Sequence, residues 1–142
     1  MSDKKDPFQK ELKSFVTNTL RRASFRWKPR DEALKAARID RGVYRCAQCG
    51  CSFKRADVQI DHIEPVVSLK DGFTSWDDFI KRLYCSVDGF QIICTTCHDT
   101  KTIMEDALRA TYNQERKAED KEEAKKLKEF EKQMRKKKKE EE

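Results

Sequence analysis

The chain has 142 residues, of which 41% are charged and 37% hydrophobic. That balance is far from an ordinary globular enzyme and excludes a large apolar core; no run approaches the ~18 apolar residues of a membrane span. The formal charge of +6 is uneven: residues 1–45 contribute +7, residues 46–112 contribute −3 and residues 113–142 contribute +2. A basic front beside an acidic centre fits a polyanion-binding arm next to a cation site, or simply a solvated basic helix.

In chain order, Phe8, Leu12, Phe15, Val16, Thr19 and Leu20 fall at helical spacing and predict an amphipathic helix over residues 8–24, with Pro7 tolerated near its start. Residues 25–29 break that pattern. A second helix is expected over about 30–40, acidic in its first turn and followed by Gly42. Residues 43–60 read as a cysteine knuckle and a short strand, with Asp57-Val58-Gln59-Ile60 alternating. A long excursion over 63–87 holds a short helix at residues 76–83. Phe90-Gln91-Ile92-Ile93 reads as a second strand. Thr95 or Thr96 then caps a helix running to about Asn113. From Glu115 the chain is almost wholly Glu, Lys and Arg, with a thin apolar set of Leu127, Phe130 and Met134. This tail is expected to be a solvated, fraying helix or disorder; its run RKKKK at 135–139 is read as solvated in preference to nucleic-acid binding. The expected organisation is α+β: a basic helical extension at 1–42, a core at 43–112 and a charged tail at 113–142.

Six cysteines stand at 46, 49, 51, 85, 94 and 97. The stretch MSDKKDPFQK lacks the apolar run of a signal peptide, so the expectation is a chain of the cytoplasm, where paired cysteines serve metal in preference to disulfides. Cys46/Cys49 and Cys94/Cys97 form two Cys-x-x-Cys pairs, the donor set of a tetrahedral structural Zn²⁺. The 44 residues between them would be held like a loop closed by a clasp. Cys51 reads as a spare knuckle thiol able to compete with Cys49, and Cys85 as a core residue. A core of this size usually needs such a staple.

The clasp encloses Asp61-His62-Ile63-Glu64-Pro65 and ends in Cys94-Thr95-Thr96-Cys97-His98, followed by Lys101-Thr102; His62 and His98 are the two histidines of the chain. With Phe90-Gln91-Ile92-Ile93 these stretches resemble the HNH endonuclease family over residues 46–102. The segment RRASFRW…ALKAAR more loosely resembles the lead-in of bacteriophage-type members. The resemblance implies a ββα-metal nuclease fold and hydrolysis of DNA phosphodiester bonds to 5′-phosphate and 3′-hydroxyl ends. It implies that Asp61 and His98 hold one divalent cation and that His62 is the general base. The zinc of Cys46, Cys49, Cys94 and Cys97 would lie away from the chemistry. One position departs from the family pattern: Gly89, beside Asp88, stands where the family has an Asn, so either Asp88 substitutes or His98 suffices as second ligand. A phage origin would place the protein in the host cytoplasm, with DNA as partner and phage packaging machinery as a candidate protein partner.

The residues fit that chemistry physically. Hydrolysis needs an activated water, neutralisation at the phosphate and help for the leaving oxygen. A neutral imidazole can take the proton near pH 7, and mixed O/N ligation suits Mg²⁺, Mn²⁺ or Ni²⁺. Arg21, Arg22, Arg26, Lys28 and Arg30 cluster around Phe25 and Trp27 and would give salt-sensitive phosphate contacts. Trp27 is read as packing in preference to stacking on a base. Lys101 either faces the phosphate or is an ordinary surface lysine. The competing readings are a non-catalytic zinc module that binds nucleic acid or protein, and a structural or assembly protein that uses its charged tail.

Overall fold

A computed structural model describes residues 6–140. It is mixed helix and small sheets. Helix α1 (Pro7–Ser24) starts at Asp6, whose carboxylate accepts from the Phe8 amide at 3.1 Å, which satisfies one of the helix's orphan donors. Helix α2 (Lys28–Ala36) carries Pro29 in its first turn, where a missing N–H costs nothing.

The expected extension of this helix to residue 40 is not what forms. Arg38–Asp40 is instead a short strand, β1, paired antiparallel with β2 (Val43–Arg45). Gly42 turns the chain at φ 71°, a conformation glycine adopts without steric cost. The Arg45 amide donates to the Ala37 carbonyl at 3.0 Å, so the incoming β2 takes an acceptor that a longer helix would use. Strand β3 (Ser52–Lys54) completes a three-stranded antiparallel sheet in the order β1-β2-β3.

After a 3₁₀ turn at Arg55–Asp57 comes β4 (Val58–His62), which pairs antiparallel with β5 (Phe90–Cys94). The register runs from Val58↔Cys94 at one end to Asp61↔Gln91 and His62↔Phe90 at the other. Between them, α3 (Trp76–Leu83) is capped by Ser75, whose hydroxyl accepts from the Asp78 amide at 3.1 Å, and it buries Phe79 and Leu83. Helix α4 (Thr95–Glu140) follows β5 directly.

The apolar interior is two small clusters. Cys46, Ile93 and Cys94 pack with Phe53 and Cys97; Val66, Phe79 and Leu83 pack with Leu20, Val67, Phe73 and Tyr84. Leu20 brings α1 into the second cluster, so both N-terminal helices belong to the same compact unit as the strands, which ends at Thr102. A second unit begins at Ile103. It is helical far beyond Asn113, because the sequence from Thr95 on holds no Gly or Pro and is rich in strong helix formers. Leu127, Phe130 and Met134 are exposed on it. No helix among the described residues is long and apolar enough to cross a membrane.

Candidate functional site

The knuckle between β2 and β3 turns at Gly50, φ 72°, with the Gly50 amide donating to the Cys46 carbonyl at 2.9 Å and the Ala47 amide to the Ile92 carbonyl at 2.8 Å. The second bond ties the knuckle to β5, so Cys46 and Cys49 meet Cys94, the last residue of β5, and Cys97 in the first turn of α4. The sulfurs of Cys46, Cys49, Cys94 and Cys97 all lie within 4.8 Å of one another, and all six cysteines are free thiols. A zinc ion with Zn–S bonds of about 2.3 Å holds tetrahedral sulfurs about 3.8 Å apart; Cys49 and Cys94 are 4.0 Å apart. The four cysteines can hold a zinc ion.

The electrostatics agree with that fit. Burial opposes ionisation of Cys46, yet backbone N–H groups of Cys49, Cys94 and Gln48 bring its thiol down to about 6. Cys97, hydrogen-bonded to Cys94 and crowded by Cys46 and Cys49, is pushed up to about 12. Four thiols this close cannot all ionise without a cation among them. Cys51 stays exposed and outside the group, while Cys85 is half-buried elsewhere.

At the opposite end of the β4–β5 ribbon stand the other residues singled out in the sequence. Asp61 faces α4. Its Oδ1 lies 3.9 Å from His98 Nε2, and its Oδ2 accepts from Lys101 Nζ at 2.6 Å and from Gln91 Nε2 at 2.9 Å. Two ligands of one cation, each at about 2.1 Å, are separated by at most about 4.2 Å, so the Asp61–His98 approach admits a shared ion. The buried Nδ1 of His98 has no hydrogen-bond partner. Lys101 is neither aimed at solvent nor simply a surface lysine: one turn beyond His98, its ammonium also bonds the His62 carbonyl at 2.6 Å.

His62 contacts a different element from its neighbour. Its Nε2 is 2.9 Å from the Leu83 carbonyl at the end of α3, and its ring packs 4.8 Å from that of Phe90. A carbonyl can only accept, so Nε2 carries the proton and Nδ1 the lone pair. Burial lowers the pKa of this imidazole, with Arg30 and Arg21 acting in the same direction against the Leu83 hydrogen bond and Asp61.

The basic cluster separates into different roles. Arg30 is half-buried, lies over the rings of Phe25 and Phe90, and is influenced by Arg55 and Asp61. Arg21 lies over Phe79. Arg22, Arg26 and Lys28 are exposed, and Lys28 pairs with Glu32 at 3.6 Å. Trp27 packs edge-on against Tyr84, its ring centroid 5.5 Å away.

At Gly89 a Cβ would meet Cys85 Sγ at 2.5 Å, so the Cys85 thiol fills the space of a side chain there. Asp88 is exposed and does not join Asp61 and His98 in any group of three metal-binding side chains among the described residues. Gln91 escaped sequence reasoning: only the register of β4 on β5 puts it opposite Asp61 on the same face. No protein-family model, curated protein or solved structure matches this chain.

Proposed function

We propose that the chain is a zinc-stapled, metal-dependent endonuclease of the HNH kind, hydrolysing DNA phosphodiester bonds to 5′-phosphate and 3′-hydroxyl ends. One observation carries the reading: Asp61 of β4 and His98 of α4 face each other, with Asp61 Oδ1 3.9 Å from His98 Nε2. Asp61 and His98 would hold one divalent cation, Mg²⁺, Mn²⁺ or Ni²⁺, which when bound supplies charge neutralisation at the phosphate and the leaving oxygen.

The rest is done by the chain's own groups. The Leu83 carbonyl fixes His62 as its Nε2–H tautomer, so Nδ1 is the atom that accepts the proton of the attacking water. The lowered pKa keeps that lone pair available at neutral pH. Arg30, half-buried over the Phe90 ring that packs on His62, would bind the scissile phosphate. Gln91 holds the Asp61 carboxylate in place. Arg22, Arg26 and Lys28 add salt-sensitive affinity for the polyanion. The zinc of the four cysteines fixes the approach of α4 to β4, on which the placement of Asp61 and His98 depends.

Purified protein should nick supercoiled plasmid only when a divalent cation is added. His62→Ala should lower cleavage by about 10²–10⁴-fold while leaving zinc content and DNA binding intact. Loss of zinc from that variant would make the histidine a structural residue and sink the assignment.

A second reading has an observation of its own. The Lys101 ammonium on Asp61 already neutralises that carboxylate, as suits a non-catalytic zinc module that binds nucleic acid. Such a module binds DNA equally well with or without added Mn²⁺ and never nicks it.

A further inference from the structure

The turn over residues 83–89, between α3 and β5, touches His62 and its strand twice. The Leu83 carbonyl accepts from His62 Nε2 at 2.9 Å, and the Gly89 carbonyl accepts from the Ile63 amide at 2.9 Å. Leu83 is the last residue of α3, so its carbonyl is one of the orphan acceptors every helix leaves at its C-terminus. An acceptor at the negative end of a helix favours an N–H donor, and the imidazole supplies one.

This turn does not stand alone. The Trp27 indole Nε1 donates to the Cys85 carbonyl at 2.7 Å, across 58 residues of sequence. The Tyr84 hydroxyl donates to the Leu20 carbonyl at 2.8 Å, across 64. The two rings meet edge-on at 5.5 Å. Within the turn, Cys85 fills the space a Cβ at Gly89 would need. Successive residues 83, 84 and 85 are therefore bound to β4, to α1 and to the segment entering α2.

We infer that Trp27 and Tyr84 are positioning residues for the general base: they anchor the turn over residues 83–89 to the N-terminal helices, and that turn holds the His62 imidazole as its Nε2–H tautomer. On this inference the basic N-terminal segment is part of the catalytic frame as well as a polyanion arm. The catalytic consequence rests on the nuclease reading above; the tautomer itself does not.

Nitrogen-15 NMR of the histidine side chains in the zinc-loaded full-length protein tests the two separately. The wild type should show His62 protonated at Nε2. Trp27→Phe keeps an aromatic ring against Tyr84 but removes the donor; Tyr84→Phe removes one hydroxyl. Each should move His62 towards a mixture of tautomers. Gly89→Ala, which drives a Cβ into Cys85, should do the same. Loss of one orienting hydrogen bond should lower kcat roughly fivefold to tenfold with KM unchanged. Should Trp27→Phe lose zinc, Tyr84→Phe decides alone. An Nε2–H tautomer unchanged in the folded variants overturns the inference. A wild type with that fixed tautomer and no cleavage under any divalent cation overturns the nuclease reading and leaves the positioning intact.

Discussion

The two ends of the β4–β5 ribbon solve the same problem differently. At the Val58↔Cys94 end, four thiols close on one another; at the Asp61↔Gln91 end, one carboxylate is shared between an amide, an ammonium and a nearby imidazole. The first end is a complete donor set for one ion, four sulfurs within 4.8 Å of one another. The second is an incomplete set, with two donors facing each other and a lysine beside them. Completeness is what a structural site needs, and an open position is what a catalytic site needs. On the proposed reading, the contrast is between a centre that would hold the fold and one that would leave room for a reactant.

The largest effect should come from breaking the complete end. Cys94→Ser removes a ligand shared by β5 and the buried cluster of Cys46 and Ile93. Structural zinc is worth about 10 kcal/mol or more in such small domains, so the variant should lose its ion and the fold of the first compact unit. Zinc quantification beside near-ultraviolet circular dichroism checks both. A folded, zinc-free variant would remove the staple from the account.

Lys101→Met sharpens the other end. It leaves the Asp61 carboxylate, only 14% exposed, without its ammonium. Breaking one side of such a pair costs about 3 kcal/mol, or roughly 10–20 °C in melting temperature for a unit of this size. Added Mn²⁺ should then recover part of that loss in the variant and less of it in the wild type, read by calorimetry. Equal response of the two proteins to Mn²⁺ would mean that Asp61 and His98 do not hold a cation.

Arg30→Met probes the open position. An arginine on the scissile phosphate should cost roughly 10²-fold in kcat/KM, whereas removing an exposed basic residue such as Arg26 should chiefly weaken binding and flatten its salt dependence. Equal losses from both would make Arg30 one more backbone contact.

The smallest effect is in the pH profile. A proposed general base at His62 would act only when neutral, so activity should fall as pH drops through its pKa. Burial, then Arg30 on α2 and Arg21 on α1, lower that pKa against the Leu83 carbonyl and Asp61. The acid limb of kcat/KM should therefore lie below the ordinary imidazole value of about 6.5. Arg30→Met should move it upward by a fraction of a unit. A limb above 6.5 in the wild type would assign the titration to another group.

Much of this was legible in the residues. Helix α1, helix α3 and strand β5 follow from residue patterns within each segment, because such signals are local. The error at Arg38–Asp40 arose where a strand partner outbid local helix preference, and the unbroken course of α4 past Asn113 where high propensity acted without a packing face. The paired spacing of the cysteines pointed to a site able to hold a metal, and the fold brings the four sulfurs within 4.8 Å of one another.

Spacing alone could single out the four cysteines that come together, Cys46, Cys49, Cys94 and Cys97, and name Asp61, His62 and His98 as candidates. It could not say which atoms meet. That Lys101 lies on Asp61, that Gln91 stands opposite it, that Arg30 lies over the Phe90 ring, and that Trp27 bonds the turn beside His62 were decided by strand register and by contacts distant in sequence. Composition and local pattern act over a few residues, whereas a site is built from groups the chain brings together only once its strands have paired.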